Sequence, residues 1–150
     1  MSYNFTLKTN LEIRTEDLNG NLLSVDRVHN LVVSTGLDLI RDHMLSTMAA
    51  LAPNHFCLGG GTTAAASTDI TLQSTLYDVT FGESTIRSGG VTFNGALYST
   101  DSLGSTFKEI GIFTSSSQMI ARALISTIIK SSAQPKNEYF AWAFDFTAST

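Results

Sequence analysis

The stretch NEYFAWAFDF, residues 137–146, alternates with period two. Phe140, Trp142, Phe144 and Phe146 fall on one side, and Tyr139, Ala141, Ala143 and Asp145 on the other. Successive side chains of a strand point to opposite faces, so the pattern fits a strand and not a helix. One face then carries four large aromatic rings, while the other is mostly small. Such a wall reads chiefly as the interior of a β-sandwich. Contact with another subunit, or a stacking platform for a sugar or base, are the alternatives. The thin face lets a helix or a second chain come close.

The remaining patterns favour the same class. Phe5, Leu7, Leu11 and Ile13 alternate ahead of Asn19-Gly20, a strong hairpin signal, which predicts strands near 10–16 and 21–26. In STGLDLIRDHMLSTMAAL the period changes: Leu37, Ile40, Met44, Met48 and Leu51 recur at three and four, with Ser34 or Thr35 to cap the start and Pro53 beyond the end. One helix over about 35–51 follows. Val91, Phe93 and Leu97 predict a strand broken by Asn94-Gly95 into a bulge or bend. Ile110 and Ile112 share a face of the next strand. Met119, Ala121, Ala123 and Ile125 share one on its partner, across a serine turn at 115–117. The expected fold is mainly β: an antiparallel sandwich or small barrel with one α-helix, in a single domain over 1–150 with an N-terminal strand arm at about 2–9.

Charged residues make up 15% of the 150, and the net charge is −4, without a Lys/Arg cluster. A phosphate-binding face for nucleic acid is therefore not expected. The charge-poor, hydroxyl-rich remainder suits a chain packed in an assembly. No apolar run approaches the roughly 20 residues of a membrane span, and MSYNFTLKTN lacks the look of a signal peptide, so synthesis in a cytoplasm is expected.

Candidate chemistry is sparse. GGGTT at 59–63 lacks the lysine and following helix of a phosphate loop, and reads as a turn and loop. His29, His43 and His55 form no ligand pair. His55 and the single Cys57 would share a strand face, but two groups are too few for zinc, so Cys57 reads as a small buried hydrophobe. Glu16 and Asp17 read as solvated hairpin residues. Asp69, Asp78 and Glu83 are scattered, and no serine elbow is present. Neither catalytic, cofactor nor metal residues are assigned, and enzyme activity is not expected.

Four segments carry a resemblance when taken in order: Asn30 to Gly36 (NLVVSTG), Gly59 to Leu72, Glu109 to Phe113 (EIGIF) and Ala121 to Ala123 (ARA). In this the chain resembles a group of bacteriophage particle proteins, which includes attachment domains of tail fibres, small tail or baseplate proteins and capsid cement proteins. The arginine that group places in a Glu-x-x-Arg pattern after Asp-x-x-Leu is absent from LQSTLYDVTF, and Glu83…Arg87 comes later. The resemblance implies a virion structural protein, a stand-alone adaptor, plug or decoration. It would be a homo-oligomer docked on tail, baseplate or major capsid proteins. The strand at 2–9, the loop at 59–69 and the tail at 147–150, each polar, low in charge and poorly explained by the core pattern, are the expected contact segments. A sugar-binding module using Tyr77, Tyr98 or Tyr139 is the alternative.

Overall fold

The computed structural model describes residues 4–45 and 52–149. Ten strands and one helix follow the order β1 (Asn4–Glu16), β2 (Leu22–Val28), β3 (Leu31–Val32), α1 (Ser34–Leu45), β4 (Pro53–Gly59), β5 (Thr75–Thr80), β6 (Thr85–Arg87), β7 (Gly90–Leu97), β8 (Thr106–Thr114), β9 (Met119–Ile129) and β10 (Asn137–Ser149). They form two five-stranded antiparallel sheets, ordered β2-β1-β10-β7-β6 and β3-β9-β8-β4-β5. The sheets do not close into a barrel, so the architecture is a β-sandwich.

Three rings of the aromatic wall lie between the sheets. Phe140, Trp142 and Phe144 are buried, and the Phe56 ring from the opposite sheet lies 6.0 Å from Phe140 and 6.1 Å from Trp142. Leu11, Ile13 and Leu97 complete the inner face of the first sheet, against Leu58, Ile110, Ile112, Ala123 and Ile125 of the second. Phe146 departs from the expectation: it is 41% exposed, and it lies just past Asp145, the last residue of β10 in register with β7.

Four other details differ from the periodic reading. β1 does not break near residue 10 but runs on from Asn4, pairing with β10 all the way to Ser149. The ladder between β7 and β10 passes through Asn94-Gly95 without a register shift. Gly95 serves packing instead, since a Cβ there would stand 2.9 Å from the Phe56 ring. On α1, Leu37 is exposed and Leu39 is buried. Gly36 faces the sheet, where its lack of a side chain lets the helix rest on the Ile120 backbone. The helix stripe is thus rotated by about one residue, and the expected turns at Met48 and Leu51 lie outside the described residues. A register shift between Ile112 and Phe113 also separates Met119 from Ala121, so Met119 joins Val33, Cys57, Leu72 and Phe113 in a second, smaller apolar cluster.

The hairpin turn forms as its residues demand. Gly20 has φ 81°, and Asp17 does more than sit in solvent: its Oδ1 accepts the amides of Asn19 and Asn21 at 2.8 and 2.9 Å. The Asn21 side chain and backbone donors hold the Asp17 carboxyl below its ordinary range.

Candidate functional site

Three of the four resemblance segments, those at 59–72, 109–113 and 121–123, converge on one buried cluster. Glu109 on β8 and Arg122 on β9 point the same way from adjacent strands, and neither side chain reaches solvent to any extent, at 0% and 3% exposure. Arg122 Nε and Nη2 lie 2.9 and 2.8 Å from Glu109 Oε2. The other carboxylate oxygen accepts the amides of Gly61 at 2.9 Å and Ser74 at 2.8 Å, and Gln73 donates to Oε2 at 3.2 Å. Arg122 Nη1 reaches Asp69 Oδ2 at 2.7 Å, and Nη2 donates to the Thr63 carbonyl at 2.8 Å. Buried charges are tolerated when paired and fully hydrogen-bonded, and no described buried side-chain polar atom is left without a partner.

The cluster acts as a clasp on the loop that runs from the end of β4 to the start of β5. Gln73 Oε1 takes the amides of Thr62 and Thr63, and Asp69 Oδ2 takes that of Ala66. The amides that GGGTT could have offered a phosphate at 61–63 are therefore turned inward, onto Glu109 and Gln73. Burial by itself would raise the Glu109 carboxyl, but the amides of Ser74, Gln73 and Gly61, together with Arg122, outweigh it and hold the group below its ordinary range. Asp69 is lowered as well, chiefly by the Ala66 amide and, after the opposing effect of burial, by Arg122.

A shallow depression of about 410 Å³ opens over this loop, bordered by Thr63, Thr68, Asp69, Thr71, Gln73 and Arg122. A second, of about 430 Å³, lies on the thin side of β10 and is lined by Glu12, Arg14, Glu16, Asn94, Tyr139 and Ala141 among others. Of the candidate sugar-stacking rings, Tyr98 is exposed, whereas Tyr77 and Tyr139 are half-buried. Glu83 is exposed in the connection between β5 and β6, where its carbonyl accepts from the Asn94 side chain.

Two pairings are invisible to short-range spacing. Lys130 and Glu138 form a second buried ion pair, with Nζ 2.8 Å from Oε2 and side-chain exposures of 2% and 3%; Lys130 also donates to the Lys136 carbonyl. Burial raises the Glu138 carboxyl, and Lys130 offsets this in part. Register sets Cys57 of β4 opposite Asp78 of β5, and the thiol donates to the Asp78 carboxylate at 3.0 Å. Burial first, then Asp78, raise the Cys57 thiol far above its ordinary value.

The fold and site define a class: an antiparallel β-sandwich whose longest connecting loop is fastened by a buried ion cluster. No described helix is long and apolar enough to cross a membrane. Comparison of the chain with protein-family models, curated proteins and solved structures finds no match.

Proposed function

We propose that this chain is a non-enzymatic structural component of a bacteriophage particle, a small tail, baseplate or fibre-attachment adaptor that docks on other virion proteins and on copies of itself. The adhesive part of this reading rests on the sheet edges. All four edge strands carry an exposed large aliphatic side chain: Leu22, Leu23 and Val25 on β2, Ile86 on β6, Leu31 on β3 and Leu76 on β5. Ile86 is 88% exposed. Edge strands of free-standing domains are usually blunted by charge or proline, because an unpaired apolar edge is a template for another chain. Asp26 and Arg27 on β2, Asp78 on β5 and Arg87 on β6 supply some of that charge, but the exposed aliphatic side chains beside them are left open to a partner.

The chain termini point the same way. β2 pairs with β1 only from Leu11 onward, and β7 pairs with β10 only up to Asp145. Residues 4–6 and 147–149 thus pair with each other alone among the described residues, as a short two-stranded ribbon at the margin of the first sheet. An isolated ribbon is weak alone and gains from a third strand, so strand addition from a neighbour is the natural use of it. Obligate contacts of this kind bury about 2,000 Å² or more in total. The phage assignment comes from the resemblance, whose separated segments supply Asn30, Gly61, Asp69, Glu109 and Arg122. Capsid cement is the alternative placement on the same particle.

Quantitative mass spectrometry of purified particles tests the reading. Presence at a fixed copy number supports it, with a handful or dozens of copies marking the tail and hundreds the capsid. Absence from particles, together with a monomeric protein at high concentration, overturns it.

A further inference from the structure

We propose that His55, Cys57 and Asp78 form a binding site for a borderline-soft divalent cation of the zinc type. The three residues each offer one ligand atom, and these atoms all lie within 4.8 Å of one another. They come together because two independent features of the fold coincide. Two-residue spacing puts His55 and Cys57 on one face of β4, and the ladder between β4 and β5 sets Asp78 directly opposite Cys57. That face is not the sandwich core: Cys57 packs in the smaller cluster with Phe113, and the His55 ring stacks on Phe113 with centroids 5.8 Å apart.

The chemistry of the donors selects the ion. A thiolate, an imidazole nitrogen and a carboxylate oxygen suit zinc and its neighbours in the transition series, while magnesium and calcium prefer all-oxygen shells. Tetrahedral zinc with bonds of roughly 2.0–2.3 Å needs ligand atoms about 3.3–3.8 Å apart, so small side-chain rotations close the site. Binding removes one proton, from Cys57 to solvent, as the sulfur–metal bond forms. Thiolate and carboxylate then balance the two positive charges. Among the described residues, neither lysine nor arginine makes an ion pair with Asp78, so a cation would meet an uncompensated carboxylate. His55 Nδ1 lies 3.1 Å from Asn54 Oδ1, a contact of the kind that holds a ligating ring in place. Three protein ligands leave the fourth position open, and because His55 and Asp78 sit toward solvent, water or a neighbouring subunit can fill it.

Cobalt titration of the full chain, first freed of metal with EDTA and kept reduced, tests the proposal. One equivalent of Co²⁺ is expected to produce the near-ultraviolet thiolate-to-cobalt band together with tetrahedral bands in the visible, and Zn²⁺ is expected to displace it. Zinc at a hundredfold excess over Kd should raise Tm by roughly 5–10 °C, whereas magnesium should not. His55→Gln and Asp78→Asn, both outside the main core, should weaken binding by tenfold or more with unchanged circular dichroism. Cys57→Ser should abolish the thiolate band, and if that variant does not fold the other two decide. A folded wild-type chain without the thiolate band, or equal affinity in the His55 and Asp78 variants, overturns the site.

Discussion

Glu109 and Arg122 sit diagonally across neighbouring strands, with the guanidinium nitrogens 2.8 and 2.9 Å from a single carboxylate oxygen and both side chains sealed from solvent. This pair ties β8 and β9 to the loop at 59–74, since the same two side chains hold Gly61, Thr63, Asp69, Gln73 and Ser74. Arg122→Met should therefore cost more than its lost packing, because Glu109 is left charged in a closed site. A loss of about 3–5 kcal/mol is expected from urea unfolding at neutral pH. Arg122→Lys should fall between, as an ammonium lacks the fork that spans Glu109 and Asp69. A loss below about 1 kcal/mol for Arg122→Met would mean that the loop is fastened elsewhere.

The same cluster sets the acid branch of the stability curve. Glu109 is held below its ordinary value of 4.5 and Asp69 below 3.8. Groups lowered on folding contribute fully above their unfolded values, and the contribution is lost as pH falls through the folded ones. Glu138 has the opposite sign: burial lifts it above 4.5, so its contribution is greatest in acid and declines as pH rises through the folded value. Unfolding midpoints should then drop steeply below about pH 4.5 in the wild type. Glu109→Gln should flatten that drop, and the cost of Arg122→Met should shrink in acid as Glu109 takes a proton. An acid limb unchanged in Glu109→Gln would assign it to other carboxylates.

Period-two alternation exposed the strands because burial on one face is a local property: each residue of β10 reports its own side. The helix was legible for the same reason, though its facing was not. Gly36 meets the Ile120 backbone through having no side chain, and apolar spacing cannot register a missing atom. The clasp was half legible. The segments that contain Gly61, Asp69, Glu109 and Arg122 stood out in order, but their meeting depends on pairings 13 to 59 residues long. Asn30 is similar. With its amide set so that Oδ1 accepts from Trp142 Nε1 at 3.2 Å and the nitrogen donates to Thr9, it supplies the aromatic wall with a polar anchor from another element. Asp78 was unreadable as a neighbour of Cys57, because strand register, and not spacing, makes it one.

Lys130 and Glu138 offer a contrast between charge pairing and net stability. Their contact lies between the end of β9 and the start of β10, fully enclosed, and Lys130 also holds the Lys136 carbonyl across the connecting turn. Removing one partner strands the other as a buried charge, at a cost of about 3–5 kcal/mol. Exchanging both for apolar side chains of similar volume removes the desolvation penalty along with the attraction, and such exchanges are often neutral or stabilising by about 1–4 kcal/mol. Lys130→Met alone and Glu138→Leu alone should each lower Tm by roughly 6–20 °C at neutral pH, given about 2–4 °C per kcal/mol for a domain of this size. The double variant should return to within a few degrees of the wild type or exceed it. Equal losses in the single and double variants would show that the aliphatic stems and the Lys136 contact, and not compensation of charge, keep these two residues in place.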